Sequence, residues 1–250
     1  MTNNHKLRFC VLSASISASL LLSACQPAND TVETPVVEEG AVDTIPTQET
    51  SLSSDAGHDM SAGTMPADET SMTPMLKEYT DSMNKMHDEM MIGMNYNDPD
   101  TAFAQGMLGH HIGAVDMAKI ELKYGSDDEM RKLAQDIIDA QQSEIEQMKA
   151  WLTDHPDVTQ PIENTKAMQK AYADGMNTMH HEMMAGIANP APDMAFARGM
   201  LPHHIGAIDM AKVQLEFGKN AEMRKLAQEI IDAQQPEIEQ MQSWIAANKG

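Results

Sequence analysis

The stretch Met107-Leu108-Gly109-His110-His111-Ile112-Gly113-Ala114 returns 93 residues later as Met200-Leu201-Pro202-His203-His204-Ile205-Gly206-Ala207. The match runs without a gap to Trp151 and Trp244, and backwards through Met90/Met183, His87/His180, Met86/Met179, Met83/Met176 and Tyr79/Tyr172. Two copies of one unit therefore fill the chain, at 75–160 and 161–250, and a period this long is a duplication rather than a solenoid. Each copy reads as three helices. In the first, Thr73 caps a helix with Pro74 at its opening position, running to about Met94. Asp98-Pro99 starts a second that ends at Gly125, and Ser126 with Glu129 has the spacing of a capping box for a third, running to about Thr153. No segment alternates apolar and polar residues, so strands are not expected. The short connection at Gly125 makes the second and third helices an antiparallel hairpin. Two such hairpins predict an all-α four-helix bundle, with the Met-rich first helix of each copy added to it.

Upstream of the repeats the chain changes character. Residues 1–24 carry a cationic start and an apolar run from Phe9 to Leu22, too short for a permanent membrane span. The run closes on Leu22-Ser23-Ala24-Cys25, which resembles a bacterial lipobox, so Cys25 is expected to be lipidated and to tether the protein outside the cytoplasm. Gln26 is not the aspartate associated with inner-membrane retention, which by the same resemblance points to the outer membrane in a Gram-negative host. Residues 25–74 contain no Lys or Arg, many acidic, Ser and Thr residues and several prolines. They read as a disordered acidic linker. Cys10 leaves with the signal, so of the chain's 2 cysteines neither remains for a disulfide or a thiolate metal site in the folded part.

Composition narrows the function. A formal charge of −21 argues against a nucleic-acid binder, which needs clustered Lys and Arg. Aromatics are only 4 %, whereas there are 24 methionines and 10 histidines, so thioether and imidazole are the unusual chemistry. On a helical projection Met83, Met86, His87 and Met90 share a stripe of the first helix, as do Met176, Met179, His180 and Met183 in the second copy. On the second helix Met107, His110, His111 and Met117 share a face, with Met200, His203, His204 and Met210 as counterparts. Met148 and Met241 belong to the third helices. A Met stripe is in itself good core material, because Met fills irregular gaps. Histidine within both stripes, and thioethers on neighbouring faces, argue for ligands. Folding the hairpin about Ser126 sets Gln141 level with His111 and Glu144 near Met107, so His, Met and Glu converge on one layer. Glu144 and Glu237, with Gln141 and Gln234, are then direct ligands, acceptors that orient the histidines, or internal hydrogen-bond partners; the orienting role is preferred.

Thioether and imidazole favour Cu(I), and by the same softness Ag(I), over carboxylate-loving cations. Zinc fits less well, since it would leave the methionines without purpose. The run from Met200 to Ala211, followed by Ile-Ile-Asp-Ala-Gln-Gln-x-Glu-Ile-x-Gln-Met and Trp244, resembles the domain of unknown function 305 family. That resemblance implies a ferritin-like helical fold and, for extracytoplasmic members, copper or silver binding through Met and His. It points to Met107, His110, His111 and Met117 and to their counterparts Met200, His203, His204 and Met210. Gly109 stands where the family usually has proline, so a local helix break is expected at Pro202 only, and Pro236 is expected to kink the last helix. The expected function is an extracytoplasmic lipoprotein that buffers, sequesters or passes on Cu(I) or Ag(I), with metal ions and an unidentified copper-transport protein as partners, and membrane contact only through lipid. An enzyme is not expected, because a ferritin-like di-metal oxidase needs Glu-x-x-His pairs and the sequence has none. The alternative is a helical envelope protein whose Met-rich faces hold a partner or the core.

Overall fold

The computed structural model describes residues 72–249, all of them helix or connection. The signal segment, the Cys25 lipidation and the linker up to residue 71 lie outside the described residues. Six helices follow in order: α1 (Pro74–Met94), α2 (Pro99–Tyr124), α3 (Asp128–Asp154), α4 (Thr165–Ile187), α5 (Pro192–Phe217) and α6 (Ala221–Ala247). The fold is the all-α bundle that the helix signals imply.

Helix starts follow local chemistry. Thr73 Oγ1 accepts the Leu76 N–H at 3.2 Å, and Asp98 accepts from Asp100 and Thr101. Such caps satisfy N–H groups that have no partner inside the helix, and each contributes about 0.5–2 kcal/mol. The capping box expected at Ser126/Glu129 does not form. Asp127 caps α3 instead, its Oδ1 accepting the Glu129 and Met130 N–H groups at 3.0 Å, while the Ser126 N–H is taken by Asp193 of α5 at 2.8 Å. A carboxylate one residue nearer the helix displaced the hydroxyl. Neither internal proline breaks its helix: α5 continues through Pro202 and α6 through Pro236.

Helices α2 and α5 form the centre. Each packs along its own flanking helices, α1 and α3 or α4 and α6, and the two pack against each other; α1 also touches α4. Close approach rests on missing side chains. A Cβ at Gly93 would overlap the backbone of Ala102 and Gly106, and one at Gly186 would overlap Arg198 and Gly199. The segment between α3 and α4 is fixed to the α1–α2 loop, where Asp157 accepts the N–H groups of Asn97 and Asp98, both at 2.9 Å. The core between the helices is built largely from methionine, with Met83, Met107, Met117, Met130, Met148, Met168, Met183, Met200, Met223 and Met241 fully buried. Among the described residues no helix is long and apolar enough to cross a membrane.

Candidate metal centre

The histidine pairs of α2 and α5 meet where these helices cross. His110 and His203 have ring centroids 3.7 Å apart, and His203 Nε2 donates to the His110 carbonyl at 3.0 Å. His111 and His204 follow on either side, with centroids 6.2 Å from His110 and 6.0 Å from His203 respectively. All four residues are wholly buried. Each outer imidazole is held by a carboxylate of its own hairpin: His111 Nε2 donates to Glu144 Oε2 at 2.7 Å, and His204 Nε2 to Glu237 Oε2 at 2.6 Å. The Glu144 and Glu237 side chains keep 20 % and 23 % exposure, so their charge stays partly hydrated.

These bonds decide which nitrogen carries the proton. A carbonyl or carboxylate acceptor draws N–H to Nε2 of His111, His203 and His204, which leaves Nδ1 of each with a lone pair. None of those Nδ1 atoms has a hydrogen-bond partner, and neither ring nitrogen of His110 has one. Burial, first, and the neighbouring imidazoles, second, hold His110 and His203 well below the ordinary histidine pKa. Both are therefore neutral. A buried polar atom left unpaired costs about 1–3 kcal/mol, and five such nitrogens collect at one crossing.

Glu144 therefore does what the preferred reading assigned it, orienting His111, but the hairpin register differs from expectation. Glu144, not Gln141, stands level with His111, a shift of about one helical turn. Gln141 is buried with both amide atoms unpaired, and Gln234 with its Oε1 unpaired.

A second grouping lies between the Met-rich helices. His87 of α1 faces His180 of α4 with centroids 5.7 Å apart, and both rings are half-buried. Burial, then the charges of His87 and His181, lower the His180 pKa. Met86 seats its thioether on Gly113, one turn from His110, and Met179 does the same on Gly206, one turn from His203; a Cβ on either glycine would overlap that methionine. Met210 reaches across to Gly106 and Met117 to Gly199, so each central helix places one thioether against the other. A small apolar cleft of about 40 Å³ gathers Met90 and Met94 of α1, Met176 and Met179 of α4 and Met210 of α5, beside Tyr172. Met83, Met107, Met148, Met183, Met200 and Met241 are fully enclosed in the core, where they serve packing whatever else they do. Among the described residues, no three His, Cys, Asp or Glu side chains converge as a ready cation site.

Sequence reasoning missed three buried polar residues, Asp100, Glu121 and Gln214, and the half-buried Asp193. Arg131 Nη1 donates to the Leu122 and Gly125 carbonyls and closes the α2–α3 turn. The signal was available in the repeat register, where Asp100 aligns with Asp193 and Glu121 with Gln214 inside otherwise apolar faces.

The profile of the domain of unknown function 305 family (DUF305) matches residues 100–245. Among solved structures, CopM in its Cu(I)-bound form is 30 % identical, covering 60 % of this chain and 98 % of its own, with a TM-score of 0.46. A DUF305 fragment from Deinococcus radiodurans is 29 % identical, covering 61 % and 98 %, with a TM-score of 0.47. CopM has also been solved in Ag-bound and Cu(II)-bound forms. No curated protein matches the chain.

Proposed function

The chain belongs to the domain of unknown function 305 family, and from that footing we propose that it holds Cu(I), or Ag(I), through imidazole and thioether groups, and buffers, sequesters or hands on the ion without chemical turnover. The observation that carries this reading is the set of unpartnered nitrogens on wholly buried imidazoles at the α2–α5 crossing, of which His110 and His203 are held neutral. A neutral imidazole needs no proton displaced before it can bind a metal, and its orientation is already fixed by a carboxylate or carbonyl on the opposite nitrogen. His110, His111, His203 and His204 are the nitrogen donors. Sulfur would come from Met86, Met117, Met179 and Met210, which lie against the central helices or within a turn of the histidines, and from Met90 and Met176 in the cleft. His87 and His180 would form an outer, more accessible position. The thioethers beside these imidazoles suit an ion that accepts few ligands and prefers sulfur, and would be without purpose for zinc. We place the protein outside the cytoplasm, anchored through lipid on Cys25; there thioethers offer soft ligation without the disulfide chemistry open to thiols.

The test is a competition titration of the metal-free protein with Cu(I) against a chromophoric chelator. The expected result is affinity tighter than micromolar, lost when His110, His111, His203 and His204 are together changed to Leu. Unchanged affinity in that variant, or wild-type binding weaker than micromolar, overturns the proposal. Anchoring is tested separately: Cys25→Ser should move the protein from the membrane fraction to the soluble one.

A further inference from the structure

The two ends of the central helices are tied by matched carboxylates. Asp100, at the start of α2, accepts the Lys219 and Asn220 N–H groups of the α5–α6 turn at 3.0 Å each. Asp193, at the start of α5, accepts the Ser126 and Asp127 N–H groups of the α2–α3 turn at 2.8 Å each. Each repeat thus fastens the other's hairpin. Behind each aspartate lies one fully buried side chain at the same position of the repeat, tucked beneath the turn glycine: Gln214 below Gly218, and Glu121 below Gly125, where a Cβ on either glycine would overlap it.

The chemistry at that position differs. Gln214 Nε2 donates to Asp100 Oδ1 at 2.6 Å, a bond available at every pH. Glu121 sits within hydrogen-bond reach of Asp193, but two ionised carboxylates have no donor between them, and as a carboxylate Glu121 leaves both of its oxygens without a partner. A proton on Glu121 gives it the donor that Gln214 always has. We propose that Glu121 is a proton-operated latch between α2 and α5: closed when the acid is neutral, loosened when it ionises, and present in only one half of the molecule.

The groups facing Glu121 support this. Asp193 of α5 and Asp127 of the turn disfavour its negative charge, and Arg131 of α3 favours it; burial, the largest influence, pushes its pKa up to about 8. Tyr79 of α1 is the remaining titratable neighbour, and burial followed by the Glu121 and Asp193 charges raise its own pKa, so it stays a neutral phenol. Asp193 moves the other way, lowered by the turn N–H groups and by Glu121 against its own burial, and so remains the acceptor. The sign follows from proton counting. Between the ordinary glutamate value of 4.5 and about 8, the folded protein holds a proton that the unfolded chain has released. The latch's contribution is complete below 4.5 and is lost as pH rises through about 8, by up to about tenfold in the folding equilibrium per pH unit. This inference does not depend on metal binding.

The test uses the metal-free full chain. Chemical denaturation between pH 6.5 and 8 should show the wild-type folding constant falling roughly 15-fold, while Glu121→Gln holds nearly constant. Gln214→Glu should steepen the dependence by installing the same device in the second half. Amide exchange supplies an internal control: protection of Ser126 and Asp127 relative to Lys219 and Asn220 should fall over this window in the wild type and stay level in Glu121→Gln. A Glu121→Gln variant that keeps the wild-type slope overturns the proposal. If that variant does not fold, a Gln214→Glu chain with the wild-type slope, or a constant wild-type protection ratio, overturns it equally.

Discussion

In the first repeat every helix begins at a side chain that accepts its free N–H groups, Thr73, Asp98 and Asp127. In the second only α6 does, through Asn220. Ala191 stands where Asp98 would be, and α4 starts at Asn164 in a left-handed conformation, φ 70°, with no side-chain cap. Yet the outer histidines, His111 and His204, hold their carboxylates at distances that agree to within 0.1 Å between halves. The duplicated unit thus kept its outer histidine–carboxylate pairs while its helix ends diverged. Ends contribute independent increments of stability, whereas the four imidazoles share one crossing and constrain one another.

Four measurements would break or sharpen that comparison. The largest effect is expected at the crossing. His110→Leu and His203→Leu should each weaken Cu(I) affinity at least a hundredfold in the competition titration, yet differ in metal-free stability. His110 has no side-chain hydrogen bond to lose, so Leu there should be neutral or stabilising. His203→Leu should cost about 0.5–1.5 kcal/mol by removing the extra bond to the His110 carbonyl, read by urea denaturation. Next, Glu144→Gln and Glu237→Gln should each lower metal affinity about 10–100-fold, and equally; a large inequality would show that the repeats are not equivalent as sites. Third, Ala191→Asp should raise stability by about 1 kcal/mol and Asp98→Ala lower it by a similar amount, seen as opposite shifts in Tm. Smallest is the response to acid. Because His110 and His203 are held neutral below their ordinary value of 6.5, the folded chain binds fewer protons than the unfolded one below that pH. Their contribution to stability is complete above 6.5 and declines as pH falls, a slope that both histidine-to-leucine variants should flatten.

Most of the architecture could be read from the chain because its signals are local. Pro74, Asp98-Pro99 and Gly125 mark helix ends by their own backbone chemistry, and the 93-residue register pairs the helices without reference to any contact. The histidines stood out because an imidazole inside a Met stripe is an anomaly on any helix face. What could not be read depends on which turn residue wins. Asp127, one residue nearer the helix and carrying a carboxylate, caps α3 in place of Ser126, and His111 meets Glu144 rather than Gln141. Contacts between repeats have no sequence period, which is why the fastening of each turn by Asp100 and Asp193 could not be read. α5 and α6 run on through Pro202 and Pro236, so neither proline ends its helix.

The reciprocal fastening of turns by Asp100 and Asp193 bears on how such a molecule could have arisen. One unit standing alone would present an aspartate with nothing to receive and a hairpin with two open amides, a mismatch that a second identical copy cures in both directions under two-fold symmetry. A half-length ancestor would on this logic have worked as a homodimer, and joining the genes end to end preserved its interface while freeing each half to drift.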